Sequence, residues 1–517
     1  MHRKIRHSAA TNLLRKSLSE VRGAQADGIT RRQFLTTTAA GSMGLALAPT
    51  LSASPTSSRI VVIGAGLAGL RFAHALWTHR HIATTVYEAS ERLGGRVWSN
   101  TSFFAGGQVA ENGAEFISSE HLSMRRLAEM FELELAVVNG GSEPGYNDAY
   151  WLDGAYYEQS QLTKDLNALQ PKIDAAYASA PFPQLYNRHT GAGYEMDHTS
   201  AADWIEHHVD GGAASRLGRI LLTALLSEYG CEPSVQSALN LIYLLGGPGT
   251  GGLAGTDEKY HVIGGNDQIP FRMAAALPPG SVQLGLSLAA LRRNSDGTYT
   301  CTLLRGSTAL DVVADHVVLA LPFNQLKKVD LSAAGLSTLK RTAIHNFALG
   351  TNAKLALQFD HRVWSVRDGW SGGCYTAPDD FQLCWDGTVS QKGRQGILER
   401  FPAGNAGGPN AFPGAAPHGP APDWVVQSFL RGVDAPFPGC SRAYNGRAYL
   451  NWWATDPFVE GAYGCYQVGN ITSFAGIENQ REGNVHFCGE QTSLEFQGYM
   501  EGAVRSAERL ALNWPRY

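Results

Sequence analysis

Gly64-Ala65-Gly66-Leu67-Ala68-Gly69 constrains this chain more tightly than any other six residues in it. An apolar run of strand type, Ile60-Val61-Val62-Ile63, precedes it, and apolar residues at helical spacing (Leu70, Ala73, Trp77) follow. A second strand, Thr84-Thr85-Val86-Tyr87, then ends at Glu88, 19 residues after Gly69. Strand, glycine turn, helix, strand and acid in this register make a dinucleotide-binding βαβ unit. Gly64 permits the tight turn, Gly66 lets backbone N–H groups approach a pyrophosphate, and Gly69 allows close packing of helix on strand. The helix N-terminus faces the negative charge, and Glu88 accepts from a ribose diol. By itself the motif suits NAD, NADP and FAD equally.

The residues that follow narrow the choice. Glu88-Ala89-Ser90-Glu91-Arg92-Leu93-Gly94-Gly95-Arg96 adds a second glycine pair beside arginines, suited to a second approach to the same pyrophosphate, where Arg96 supplies charge-assisted hydrogen bonds. An ordinary surface turn is the alternative reading of this stretch alone. Together the two segments resemble the flavin-containing amine oxidases, the group of monoamine, polyamine and L-amino-acid oxidases. The resemblance spans most of residues 59–512 and is strongest at the two ends.

Size and composition agree with that class. A chain of 517 residues implies more than one domain, since single cores stop growing near ~250–300 residues. The 58 glycines favour an α/β enzyme with many backbone approaches over a helical bundle. A net charge of −4 leaves no footprint for nucleic acid, and no apolar run is long enough to span a bilayer as a mature segment. The seven cysteines form no CxxC pair, and neither a disulfide framework nor a metal site is indicated.

Residues 1–55 read as an address rather than as fold. A basic stretch leads to Arg31-Arg32-Gln33-Phe34-Leu35 and then to a weakly apolar run ending at Leu51. This resembles a twin-arginine export signal, with cleavage expected near Ala48 to Ser54 and a periplasmic or secreted destination. A flavoprotein loaded in the cytoplasm would have to leave already folded. A disordered basic tail is the alternative.

Further along, residues 120–245 read as mainly helical, with apolar spacing at His121 to Leu133, Ala201 to Val209 and Leu217 to Leu226. A glycine-rich loop, Gly246 to Gly255, ends that block. Strands are expected at Val282 to Leu291, Tyr299 to Leu304, Val312 to Leu321 and, alternating, Ala353 to Phe359. Residues 402–424, rich in Pro, Gly and Ala, read as a long surface loop. The resemblance implies two domains made of discontinuous segments in an α/β fold. A Rossmann-like FAD domain takes 59–135, 258–333 and 446–517; a mixed-sheet and helical substrate domain takes 136–257 and 334–445.

Near the C-terminus, Val485-His486-Phe487-Cys488-Gly489-Glu490 and Gln497-Gly498-Tyr499-Met500-Glu501-Gly502-Ala503 read as a strand ending in Gly-Glu, then a helix start. In the family, the matching Gly489-Glu490 contacts the ribityl and phosphate part of FAD. The matching Gly498-Tyr499-Met500 brings a helix N-terminus and a tyrosine to the flavin ring. The resemblance also places Leu67, Ala68, Ala89, Arg92, Leu288 and Trp453 on the cofactor, together with Gly113-Ala114-Glu115-Phe116.

Three residues are implied to act on substrate. Tyr463 and Tyr499 match two aromatic walls that flank the flavin and polarise an amine by their π faces; two core tyrosines are the alternative. Lys354, alone in an apolar strand, matches a lysine that holds a water beside flavin N5; a lysine snorkelling from an edge is the alternative. Ala462 stands where monoamine oxidases carry a flavin-linking cysteine, so FAD is expected to bind without a covalent link.

These features imply oxidation of a neutral amine to an imine, its hydrolysis to aldehyde or ketone, and flavin reoxidation by oxygen with release of hydrogen peroxide. Three other readings stay open, among them a non-catalytic flavoprotein that retains FAD for stability or partner binding; the remaining two are catalytic. One is an L-amino-acid oxidase, although Phe116 stands where venom-type members place the arginine for the substrate carboxylate. The other is a periplasmic dehydrogenase that passes electrons to a carrier protein. A homodimer is left open.

Overall fold

The β-branched run Ile60–Ile63 is buried at every position because it lies inside a sheet covered on both faces. This parallel sheet runs Val485–Phe487, His316–Leu319, Ile60–Ile63, Thr85–Tyr87, Val282–Gln283. The first and last strands of the described residues thus lie in one sheet, separated only by His316–Leu319. Helix Leu67–Arg80 packs against helix Met500–Leu512, and Arg71 reaches Glu508 at 2.7 Å. Leu70, Phe72, Val504 and Ala507 make the core between them. The structure is a computed structural model and describes residues 58–138, 147–246, 257–367 and 370–515. The expected export leader and nearly all of the Gly246–Gly255 loop lie outside the described residues.

A second, eight-stranded sheet runs His418–Pro420, Tyr444–Asn451, Lys354–Phe359, Gly396–Arg400, Leu383–Asp386, Trp370–Tyr375, Asn147–Leu152, Ala155–Tyr156. The strand Tyr444–Asn451 runs through residue 446, so the expected domain boundary falls inside it. Helices Gln159–Ser179, Ala201–His208, Arg216–Tyr229 and Ala238–Leu245 fill the expected helical block, and their apolar faces share one core with Leu162, Trp204 and Leu221. Among the described residues, no helix is long and apolar enough to cross a membrane.

Four expected elements differ from what forms. The strand expected over Val312 to Leu321 is two: Thr308–Ala314 joins an antiparallel three-stranded sheet, and His316–Leu319 joins the parallel one. The break falls at Asp315, whose carboxylate binds the Arg59 guanidinium at 2.9 Å and the Arg59 N–H at 2.7 Å. The strand expected over Val282 to Leu291 is interrupted at Gly285, with φ +70°, where only glycine sits without strain. Residues 402–424 are not all surface loop, because His418–Pro420 forms the edge of the eight-stranded sheet and Phe412 is buried. Finally, Lys354–Phe359 does not alternate. All six of its residues are buried, because the strand lies between two neighbours and is covered on both faces.

Candidate active site

The glycine turn does locally what its spacing implies. Gly64 has φ +106°, and a Cβ there would lie 2.8 Å from the Ala320 carbonyl oxygen. A Cβ on Gly69 would lie 2.0 Å from the Gly64 carbonyl oxygen, so helix Leu67–Arg80 can start only this close to its strand if both are glycine. That helix has no side-chain cap and no acid in its first turn. Its free N–H groups and positive dipole end therefore face an anion site. Glu88 at the end of the second strand accepts from the Ala65 N–H at 2.8 Å and from the Ser90 N–H and hydroxyl, which fixes its carboxylate beside the turn.

One cavity of about 680 Å³ opens there and continues to the eight-stranded sheet. Its wall takes in Gly64, Gly66, Leu67, Ala68, Glu88 and Ala89, then Arg92, Gly94, Gly95 and Arg96. Next come Gly113, Ala114, Glu115 and Phe116, with Leu288 and Trp453. Gly489, Glu490, Gly498, Tyr499 and Met500 close it from the C-terminal segment, and Lys354 and Tyr463 also line it. Of the residues singled out from sequence, Gly69 alone is not in this wall; it packs helix on strand instead. An elongated cavity with an uncapped helix N-terminus, close glycines and a carboxylate at one end fits a dinucleotide.

Several assigned cofactor contacts are engaged with protein. Arg96 Nη1 donates to Glu490 at 2.9 Å and to the Ala462 carbonyl. The other Glu490 oxygen accepts from the Gly498 N–H at 2.8 Å. This ion pair ties the second glycine segment, the Ala462–Gly464 turn and the C-terminal segment together around the cavity. Arg92 lies 4.5 Å from the centre of the Trp98 ring and donates to the Gly95 carbonyl at 2.6 Å.

The two tyrosines share a support that sequence reading missed. The Tyr463 hydroxyl donates to the Ser227 carbonyl, and the Tyr499 hydroxyl lies 3.3 Å from Glu228. Ser227 and Glu228 are adjacent in the last turn of helix Arg216–Tyr229, so one helix end anchors both rings. Burial, followed by the charges of Glu228 and Glu258, holds the Tyr463 phenol well above its ordinary value.

Lys354 does not snorkel. Its side chain is 3% exposed, and Nζ lies 2.6 Å from Glu115 Oε2 and 2.6 Å from Glu399 Oε2. The Glu111 carbonyl accepts from it at 2.7 Å and the Gly113 carbonyl at 3.4 Å. Burial alone would lower the ammonium pKa, but the two carboxylates outweigh it and hold it above the ordinary lysine value. Register explains the grouping. Ala356 and Trp385 both stand opposite Glu399 on neighbouring strands, so their side chains and that of Lys354, two residues from Ala356, share one face. Trp385 Nε1 donates to both Glu115 oxygens at 3.2 Å. Neither Glu399 oxygen has a well-aligned hydrogen bond, and burial, then the Glu115 charge, push this carboxyl up. No sequence signal marked Glu399 or Trp385, because each lies one strand or two away from Lys354 in a sheet whose register only the fold sets.

The same cavity wall also carries acidic and aromatic side chains. Asp148, Glu228 and Glu258 are among them, with Tyr375, Trp385 and Phe401. Burial pushes the Asp148 carboxyl up to about 6, against a hydrogen bond from Ser371. Among the described residues, no group of three or more His, Cys, Asp and Glu side chains could hold a metal ion.

The family description for flavin-containing amine oxidoreductases matches residues 67–512, from the glycine turn to the last helix. The chain belongs to that family. Relatives include an L-amino acid dehydrogenase from Synechocystis, 23% identical over 89% of this chain and 95% of the relative. A putrescine oxidase from Kocuria rosea is 26% identical over 64% of this chain and 70% of the relative. Among solved structures, the cyclohexylamine oxidase of Brevibacterium oxydans superposes with a TM-score of 0.75 at 21% identity, covering 88% of this chain and 98% of that one. The protein is a flavin-dependent amine oxidase with FAD as its cofactor. With Ala462 at the linking position, FAD is held without a covalent bond.

Proposed function

We propose that this amine oxidase acts on cationic amines that carry no carboxylate. The charge inventory of the substrate chamber carries this reading. Four basic residues line the whole cavity within the described residues. Arg92 and Arg96 stand at the glycine segments, Lys328 is paired with Glu460 at 2.6 Å, and Lys354 is held between two carboxylates. None is left to meet a substrate carboxylate, whereas Asp148, Glu228 and Glu258 attract an ammonium ion. Phe116, where a carboxylate-binding arginine was expected for an amino-acid oxidase, packs on Trp385 with ring centres 5.7 Å apart.

In this reading Gly64, Gly66 and the N-terminus of helix Leu67–Arg80 hold the FAD pyrophosphate, and Glu88 holds a ribose. Tyr463 and Tyr499 bracket the amine, fixed by Ser227 and Glu228. Bound FAD supplies the two-electron acceptor for the substrate's α-C–H bond, leaving an imine that water hydrolyses to a carbonyl compound and ammonia or an amine. Anaerobic bleaching of the flavin by matched pairs tests the reading: phenylethylamine against phenylalanine, putrescine against ornithine, cadaverine against lysine. Each amine should bleach at least 100-fold faster than its carboxylated partner. An amino acid that bleaches faster than its amine ends the reading.

The Synechocystis relative, named as a dehydrogenase, favours a second reading for the oxidative half: transfer of electrons to a carrier protein rather than to oxygen. Slow reoxidation in air, accelerated by a cytochrome or quinone, supports it; reoxidation within one turnover time in air removes it. Export of the folded, FAD-loaded protein is supported by the basic N-terminal stretch, Arg31-Arg32-Gln33-Phe34-Leu35 and the weakly apolar run that follows. Replacing Arg31 and Arg32 with lysine should leave the protein in the cytoplasm, and undiminished export of that variant defeats this part of the reading.

A further inference from the structure

Resting on the placement of the FAD pyrophosphate at Gly64 and Gly66, we propose that Gln491 and Gln325 hold hydroxyl groups of the cofactor's ribityl chain, Gln491 as acceptor and Gln325 as donor.

Among the described residues, three side chains of the cavity wall carry a buried polar atom without a hydrogen-bond partner: Asn352 Oδ1, Gln325 Nε2 and Gln491 Oε1. A buried polar atom left unpaired is costly, so each calls for an explanation. Asn352 Oδ1 is turned end-on into backbone, since a Cβ on Gly230 would lie 2.0 Å from it and one on Gly350 3.0 Å. Gln491 is held differently. Its Nε2 donates to the Leu321 carbonyl at 2.7 Å, which settles which end of the amide is the oxygen. A Cβ on Gly489 would lie 2.9 Å from Oε1, 2.9 Å from Nε2 and 3.1 Å from Cδ. Near-equal distances mean that Gly489 meets the flat face of the amide, which leaves the in-plane lone pairs of Oε1 free. Gln491 is itself only 2% exposed, so the partner has to come from the cavity.

Topology says which part of the cofactor passes there. The Gln325 N–H donates to the Pro322 carbonyl at 2.9 Å, so both glutamines attach to Leu321-Pro322, just beyond strand His316–Leu319. That segment abuts the glycine turn: a Cβ on Gly64 would lie 2.8 Å from the Ala320 carbonyl oxygen and 3.2 Å from the Leu321 side chain. In the parallel sheet, Ile60–Ile63 has Thr85–Tyr87 on one side, ending at Glu88, and His316–Leu319 on the other. With the pyrophosphate at the turn and the adenosine ribose at Glu88, the remaining arm of FAD runs toward Leu321. That arm carries the ribityl hydroxyls, each able to donate and to accept. An ionised phosphate has no hydrogen to give, so it does not satisfy Gln491 Oε1.

The test follows FAD release from the holoenzyme by recovery of flavin fluorescence, with ADP as competitor. ADP shares the adenosine and the pyrophosphate but has no ribityl chain. Gln491→Met, close in volume and apolar, should raise the Kd for FAD ~5- to 10-fold, the order of one neutral hydrogen bond. Half-displacement of FAD should then need less ADP by the same factor, because ADP loses no contact. A merely structural role would weaken both ligands together and leave the displacing concentration unchanged. Gln325→Met should show the same pattern, and it carries the test if Gln491→Met does not fold. Unchanged FAD affinity in the variant tested, or equal weakening of FAD and ADP, overturns the assignment. Wild-type FAD affinity in Gly64→Ala overturns the pyrophosphate placement instead.

Discussion

Lys354 illustrates why a single buried charge has to be read with its partners. An isolated ammonium at 3% exposure would be costly, and Glu115, with Glu399 beside it, compensates it. Removing one member of such a cluster leaves the others uncompensated. Lys354→Met should therefore destabilise the protein by about 3–5 kcal/mol, seen as a lower Tm in urea or heat denaturation of the apoprotein. Glu399→Gln should lose much less, because that carboxyl is already pushed toward its neutral form. Equal losses for the two would show that Glu399 is ionised. Gly64 makes a backbone counterpart. Its φ is +106°, and a methyl group there would meet the Ala320 oxygen at 2.8 Å, so Gly64→Ala should lose FAD while keeping most of its secondary structure. Flavin absorbance retained after gel filtration of that variant would contradict the proposed pyrophosphate approach.

At the scale of elements, helix Arg216–Tyr229 links local signals to the chamber. Ser215 caps its start by accepting from the Gly218 N–H at 3.0 Å. Its apolar face, including Leu217, Leu221 and Leu225, is buried, and its last turn delivers Ser227 and Glu228 to the two tyrosines. Ser215→Ala should lower stability by about 1 kcal/mol and leave the flavin reduction rate unchanged. Glu228→Gln, by contrast, should leave Tm nearly unchanged and reduce kcat/KM for a cationic amine by roughly 10-fold, the order of one hydrogen bond to a charged group. Equal kcat/KM in Glu228→Gln and wild type would remove Glu228 from substrate recognition. The helix itself was legible from its spacing; the destination of its last turn was not, because a polar residue at a helix end reads the same whether it meets water or a cavity.

Across the whole molecule, buried carboxyls set a pH dependence. Glu111 links the segment before the substrate chamber to the strand-end turn at Asn266, accepting from the Asn266 N–H at 2.8 Å and from Ser99 at 2.7 Å. Mainly through burial, its carboxyl is pushed up to about 8, against ~4.3 in an unfolded chain. Between those values the folded state keeps the proton and the unfolded state has lost it, so this group's contribution falls as pH rises through the window. Glu111→Gln should flatten the fall in apoprotein Tm between pH 6.5 and 8 by roughly 2–5 °C relative to wild type. Parallel Tm curves for the two would show that Glu111 is not the group responsible. The window starts at 6.5 because buried His74 and His486, lowered to about 4 and about 3 mainly by burial, act in the opposite direction below it.

The dinucleotide unit, the family, the cofactor and the positions of the tyrosines and the lysine could all be read from the order of residues. Those features depend on contiguous spacing: a glycine where a methyl would strike the next carbonyl, an acid at the end of a strand, a helix start after Gly498. Folding was needed to show that Arg96 and Glu490, 394 residues apart, close the cavity, and that Lys354 stands between Glu115 and Glu399. It also turned Ser227 and Glu228 toward the tyrosines and brought the acidic side chains into the cavity wall. The difference is one of range. Backbone geometry restricts residues a few positions apart, whereas the charge state of a buried group depends on whatever the sheet register and helix packing bring within a few ångströms of it, and no local pattern encodes that.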